Sequence, residues 1–205
     1  MKLTWPAPER NKGPILEVLG RVLPRQGTVL EVASGTGQHV VHFARNLPEL
    51  EFLPTEVQEE NLASIQAWID ESGLTNVRAP KRLDVTDATW DVALVDAVFC
   101  ANLIHIAPWE CALGLLQGAA CHLRPEGLLI LYGPYRLGGE HTAPSNAEFD
   151  ADLRRRDPRY GVRDVEAVAS AARSLGLTFM ERVKMPVNNQ ILVFARTLTT
   201  GPGRE

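Results

Sequence analysis

The segment Val29-Leu30-Glu31-Val32-Ala33-Ser34-Gly35-Thr36-Gly37-Gln38-His39 constrains the fold of this chain more than any other. An apolar run carries an acidic residue near its end, passes through a short glycine turn and opens onto residues 38–46, which read as a helix. Such a turn lets backbone approach a ligand closely at the carboxyl end of a parallel strand.

The rest of the chain extends that logic. Apolar runs alternate with amphipathic segments, the pattern of a parallel sheet covered by helices on both faces, an α/β doubly wound fold. Helices are expected over 11–23, 38–46, 59–71, 110–122 and 164–175, and strands over 28–33, 51–56, 77–83, 93–101 and 128–132. The run at 93–101 is almost continuously apolar, as a strand buried on both faces should be. Between 133 and 163 the pattern breaks into polar residues with Gly, Pro and Asn. That stretch reads as an insertion or lid, with a short helix at 146–156. Strands at 177–185 and 190–197 are expected to form a hairpin through Pro186-Val187-Asn188-Asn189. One domain is expected over 1–198, followed by a disordered tail at 199–205.

With 205 residues, 45% hydrophobic and 22% charged, the chain suits one soluble domain with a substantial core. The net charge of -4 argues against a nucleic-acid partner, which would call for a basic field. Arg154-Arg155-Arg156 is the basic run, and Asp150, Asp152 and Asp157 around it make it a solvated helix face. Cys100, Cys111 and Cys121 are too far apart for a zinc pattern, and they suit a reducing cytoplasm. His39 and His42 lie three apart without an acidic partner at suitable spacing, so no metal is expected. The chain start has no signal-peptide core and no apolar run is long enough to span a membrane, so no membrane association is expected.

The turn itself points to a nucleoside cofactor. Gly35 and Gly37 supply small residues where the turn needs positive φ or where a ligand lies on the backbone. The helix beginning at Gln38 aims its first amides at an anionic group such as a carboxylate. Glu31 complements an ammonium. S-adenosylmethionine carries both groups on its methionine end. A dinucleotide is the rival, but its fingerprint requires a third glycine where this chain has Val40. Glu56, ending the second strand, is placed to accept both ribose hydroxyls; Glu59 and Glu60 read instead as an acidic helix start. Asp84, ending the third strand, is placed for an adenine amino group, with Asp87 its rival if Thr86-Asp87 caps a turn. Ala101 and Asn102 end the fourth strand at the switch point of the sheet.

Glu31-Val32-Ala33-Ser34-Gly35-Thr36-Gly37, Glu56, Asp84-Val85 and Leu123-Arg124-Pro125-Glu126-Gly127 together resemble the class I S-adenosylmethionine-dependent methyltransferases. The resemblance covers about residues 11–196. It implies a Rossmann-like, mostly parallel seven-stranded sheet whose last strand inserts antiparallel. It also implies the cofactor, with Ala33, Ser34 and Val85 in its binding set. This chain has Ala33 where the family's turn has its first glycine, a change expected to be tolerated at negative φ. Glu9-Arg10-Asn11-Lys12, Asn102-Leu103-Ile104-His105-Ile106-Ala107-Pro108-Trp109-Glu110 and Gly133-Pro134-Tyr135 resemble more closely an uncharacterised branch that includes methyltransferase-like protein twenty-six.

On the acceptor side, methyl transfer requires alignment, exclusion of water and, for a neutral hydroxyl or protonated amine, removal of a proton. His105, just past the fourth strand, is the candidate base, and the alternative is a histidine packed at a helix start. Asn102 can hold acceptor or cofactor through its amide. Arg10, Asn11 and Lys12 precede or open the first helix and are expected at the methionine carboxylate or the acceptor, with Asn11 alternatively a helix cap. Tyr135, Asn146 and Phe149 are expected to form the acceptor pocket. The function expected is methyl transfer to a small-molecule acceptor. The alternatives are a cofactor-binding partner protein without turnover and an NAD-dependent oxidoreductase.

Overall fold

The computed structural model describes residues 1–197, so the expected tail at 199–205 lies outside the described residues. Helix α1 (Pro6–Val22) leads into β1 (Gly27–Val32), α2 (Gln38–Asn46), β2 (Leu50–Glu56), α3 (Glu59–Ser72), β3 (Lys81–Arg82), β4 (Val95–Ala101), α4 (Trp109–His122) and β5 (Leu123–Gly133). An excursion follows: β6 (Tyr135–Leu137), β7 (Glu140–His141), α5 (Pro144–Arg156) and β8 (Arg163–Asp164). The chain then returns through α6 (Val165–Arg173), β9 (Leu177–Lys184) and β10 (Gln190–Arg196). Seven strands form one sheet in the order β3-β2-β1-β4-β5-β10-β9. β1 lies parallel to both β2 and β4, while β10 lies antiparallel between β5 and β9. This is the doubly wound α/β sheet read from the sequence, with its antiparallel terminal hairpin.

The two-residue period of a strand sorts the core into two layers. Leu30 and Val32 of β1, Val98 and Cys100 of β4, and Leu129 and Leu131 of β5 face Leu115, Leu116, Val168 and Ala172 of α4 and α6. Their alternates Val29, Ala97, Phe99, Ile130 and Tyr132 face Ile15, Leu19, Val40, Phe43 and Ile65 of α1, α2 and α3. Glu31, one step from Leu30 and Val32, therefore points with Val29 into the α1–α3 layer. The same phase puts Tyr132 in that layer and Tyr135, three residues further, in the other.

Four expectations shift. Helix α1 begins at Pro6, because proline is preorganised for the first helical position. It also contains Pro14, whose missing N–H leaves the Arg10 carbonyl without its helical donor. The strand expected at 77–83 reduces to β3 plus a single bridge from Val77 to Phe52. Pro80 between them cannot donate to the ladder. The insertion expected to be irregular instead builds a second sheet, β7-β6-β8, and its helix starts at Pro144 rather than Asn146. Finally, Ala33 has φ 56°, so the condition of negative φ under which its methyl group was expected to be tolerated is not met.

Ala33 thus occupies a left-handed conformation that its Cβ disfavours by about 1–2 kcal/mol. Replacing it by glycine removes that strain and restores about 0.4–1 kcal/mol of unfolded-chain freedom. Ala33→Gly is expected to stabilise the protein by about 0.5–1 kcal/mol in urea unfolding. A loss of stability would show that the methyl group is accommodated.

Candidate active site

The carboxyl ends of the parallel strands open into one cavity of about 730 Å³, a size ordinary for small-molecule sites. One part lies against the turn after β1, lined by Ala33, Ser34 and Gly35 with Glu56, Asp84 and Val85. The other lies against Ala101, Asn102 and Tyr132 at the ends of β4 and β5. Arg10 and Asn11 of α1, Asn146 and Phe149 of α5, and Val187 between β9 and β10 enclose it.

Glu56 organises the first part. One carboxylate oxygen accepts the Gly35 N–H at 2.9 Å, and the other accepts the N–H groups of Val57 at 2.8 Å and Gln58 at 3.3 Å. Ser34 Oγ donates to the Glu31 carbonyl at 3.2 Å and accepts the Thr55 N–H at 3.2 Å. Gly35, at φ 57°, presents its backbone to the cavity, with the Trp5 ring 3.1 Å from where a Cβ would stand. Trp5, absent from the sequence reading, is held by its N–H on Gln38 Oε1 at 2.7 Å and by Gln38 Nε2 on its carbonyl at 3.2 Å. Gly37 serves packing: at φ 95°, a Cβ there would lie 2.8 Å from Ile65 Cα.

Behind the turn stands a buried polar file. Glu31 is 2% exposed, one carboxyl oxygen has no partner among the described residues, and the other lies 4.0 Å from His39 Nδ1. Burial raises its pKa to about 8, opposed in part by the hydrogen bond with Ser34. His39 Nε2 donates to Asn11 Oδ1 at 2.7 Å. Burial, then the charge of His42, lowers the His39 pKa to about 4. Beyond Asn11 stands the Tyr132 phenol, whose pKa burial raises while Asn11 and the Arg10 charge pull it down. Asn11 therefore sits inside α1 as a connector and not as its cap. Tyr132 was missed because the strand's phase, which decides between it and Tyr135, depends on where β5 ends.

Asp84 lies two residues past β3 and lines the cavity. One of its oxygens accepts the Thr86 N–H at 2.9 Å and the Thr86 hydroxyl at 2.7 Å, which lowers its pKa. Asp84, and not Asp87, caps that turn. Asn102 has φ 64°, donates its N–H to the Tyr132 carbonyl at 2.8 Å and accepts from His105 N–H at 3.0 Å.

Five expected site residues do not line the cavity: Glu31 and Gly37, which lie behind and within the turn, and Lys12, Tyr135 and His105. Lys12 is paired with Glu9 at 2.6 Å and does not line the cavity. Tyr135 is 0% exposed in the α4–α6 layer, its ring 4.8 Å from that of His105. His105 is also 0% exposed, and its Nδ1 accepts the Arg163 N–H at 3.2 Å. Its Nε2 packs on Gly133, where a Cβ would approach to 2.5 Å. Burial, then the Arg163 charge, lowers its pKa to about 3. A base has to reach the proton it removes, and His105 lies behind the wall, in the packed position that was its alternative reading. Among the described residues, no group of three His, Cys, Asp or Glu converges as a metal site.

A family model described as a protein of unknown function, DUF938, matches residues 2–196. The chain belongs to this family. The DUF938 chain is also similar to a tRNA (guanine-N(7)-)-methyltransferase of Shewanella pealeana, 29% identical over 114 residues, 54% of this chain and 46% of that enzyme. An enzyme of the same name from Paenarthrobacter aurescens is 43% identical over 61 residues, 30% of this chain and 19% of its own length. The chain thus spans less than half the length of these curated relatives. Among solved structures, an O-methyltransferase family protein from Burkholderia thailandensis superposes with TM-score 0.79 at 19% identity, over 93% of this chain and 57% of that one. The S-adenosylmethionine-dependent methyltransferase SibL superposes with TM-score 0.77 at 22% identity, over 93% and 56%. The fold is that of the class I methyltransferases.

The raised pKa of Glu31 has a measurable sign. Its ordinary value is 4.5 and its folded value about 8, so the folded state holds a proton that the unfolded state has lost in this window. The stability contributed by the neutral carboxyl is complete below pH 4.5 and is lost as pH rises towards about 8. Glu31→Gln is expected to gain stability relative to the native chain across that window in thermal unfolding. A gap that stays constant with pH would show Glu31 already ionised in the fold.

Proposed function

We propose that this chain is an S-adenosylmethionine-dependent methyltransferase acting on a small molecule, of the branch that includes methyltransferase-like protein twenty-six, and that it works in the cytoplasm. The observation that carries the reading is the pair of carboxyls framing the turn. Among the described residues Glu31 Oε2 is buried without a partner, and Glu56 faces the cavity with its backbone bonds already made. An orphaned buried acid fits a ligand that brings an ammonium to it. Asn11 and the first amides of α2 suit the adjoining carboxylate, Glu56 the ribose, and Asp84 with Val85 the adenine. The bound cofactor supplies an electrophilic methyl group on a sulfonium. Ala101 and Asn102, at the switch point between β1 and β4, place the acceptor beside it. Enclosure by α1, α5 and the β9–β10 turn excludes water.

A small acceptor is favoured by that enclosure and by the ion-paired basic run, since Arg154 pairs with Asp150 and Arg155 and Arg156 share Asp152. A reducing compartment suits its three free cysteines, and no described helix is long and apolar enough to cross a membrane. The partial likeness to enzymes named for tRNA favours a second reading, in which the acceptor is an RNA base. Two further alternatives are cofactor binding without turnover and NAD-dependent oxidation.

Calorimetry separates these readings. S-adenosylmethionine is expected to bind where NAD does not, and binding at pH 7 is expected to release a proton as Glu31 ionises. Release of S-adenosylhomocysteine with a metabolite extract, and not with bulk tRNA, would establish small-molecule turnover. Failure of S-adenosylmethionine to bind at millimolar concentration would sink the proposal. Glu56→Ala is expected to weaken cofactor binding by about 1–3 kcal/mol, the scale of a lost buried polar partner. An unchanged affinity would remove Glu56 from the site.

A further inference from the structure

The acceptor half of the cavity combines apolar walls with a scarcity of proton acceptors. Ile106, after β4, and Val187, between β9 and β10, are exposed large apolar residues that line this cavity. Val187 is 75% exposed at φ 57°, followed by Asn188 at φ 59°. Two such residues suit a type I′ hairpin turn, but a β-branched side chain is strained there. The turn is nevertheless gripped, with Asn146 Nδ2 on the Asn188 carbonyl at 3.0 Å and Asn188 Nδ2 on Ser145 Oγ at 3.1 Å. Strain kept at a ligand wall, where the surroundings hold it, points to use of the side chain.

Among the described residues lining the cavity, the side chains that ionise are Arg10, His39, Glu56, Asp84, Cys111 and Tyr132. Glu56 is three strand spacings from β5, about 14 Å, and its oxygens hold backbone N–H groups. Asp84 lies further out along the same sheet, and the Cys111 thiol is pushed up by burial and by Asp84 beside it. His39 donates through Nε2 to Asn11 and turns Nδ1 to Glu31. Tyr132 has a raised pKa and is a donor at neutral pH. Among these described side chains only Arg10, which lines the cavity with Tyr132 and whose charge acts on it, brings a full charge to this half.

We infer that the acceptor is a small ring-bearing compound that arrives already ionised, as a thiolate, an acidic phenolate or a carboxylate, with Arg10 and the Tyr132 hydroxyl holding its charged atom. The inference rests on the methyltransferase reading. A lone pair of the acceptor anion forms the bond to the methyl carbon. The carbon–sulfur bond breaks with its electron pair remaining on sulfur, so the sulfonium becomes a thioether. The acceptor becomes a neutral thioether, ether or ester, no proton moves, and no base is needed. Val187, Ile106 and Phe149 enclose the ring.

The test starts with protein saturated with S-adenosylhomocysteine. If that ligand does not bind, the methyltransferase reading itself falls before any acceptor is added. The loaded protein is then titrated with 4-nitrophenolate, benzoate, benzylammonium and benzyl alcohol. The anions are expected to bind about tenfold or more tightly than the cation or the alcohol, with Arg10→Gln removing about tenfold and Arg10→Lys restoring most of it. Val187→Gly is expected to raise stability while weakening the anions' binding, a split that a merely structural role would not produce. With S-adenosylmethionine and thiophenol, the pH dependence of turnover is expected to follow the thiol's own ionisation. Benzylammonium binding as tightly as 4-nitrophenolate, no binding of either anion, or an unaltered Arg10→Gln affinity would each overturn the inference.

Discussion

The carboxylate of Glu56 is the contact on which the site depends. Burying an ionised carboxylate is costly unless hydrogen bonds replace its water, and here the N–H groups of Gly35, Val57 and Gln58 do so. Those bonds tie three pieces of chain together: the turn leaving β1, the end of β2, and the entry to α3. The turn can then hold Ala33, Gly35 and Gly37 at positive φ. Glu31 completes the frame from the opposite condition. Its backbone carbonyl is bonded by Ser34 and Thr55, yet a carboxyl oxygen is left unpartnered among the described residues. One acid builds the turn and the other waits beneath it.

Much of this half was legible from residues alone, because it is local. Helix α2 occupies the residues that periodicity assigned to it, and Glu56 ends β2 as expected. The failures share a physical cause. Pro80 breaks the strand expected at 77–83 just before β3, a ladder effect that a window of apolar residues does not register. Pro6 starts α1 five residues early because a proline cluster signals loop as readily as a first helical turn. Gly37 has the spacing of a ligand-contacting glycine, but its crowding comes from Ile65, twenty-eight residues away. The choice between Tyr132 and Tyr135 turns on strand phase, where a slip of an odd number of residues moves a side chain to the other face.

The half proposed for the acceptor is assembled from contacts between distant segments. His105 illustrates this: its ring nitrogen receives Arg163 N–H, its carbonyl receives Gly161 N–H at 2.9 Å, and the Arg163 guanidinium caps the carbonyls of Ile104 and Ala107 at 2.8 Å each. A neutral, buried imidazole thereby pins the end of the insertion to the loop after β4, which is why a residue with the pKa class of a base serves here as an anchor. At the other end of the insertion, Asn146 and Ser145 grip the β9–β10 turn. The insertion and the hairpin consequently form one wall, fastened at both ends, that faces Arg10 and Tyr132. Asn188, next to Val187, is thus tied to α5, and Arg163 is tied to the loop that carries Asn102. The cofactor end is encoded by short-range pattern and so can be read from a sequence. The end proposed for the acceptor is encoded by hydrogen bonds across forty-two to fifty-nine residues, and its chemistry becomes visible only once the chain has closed on itself.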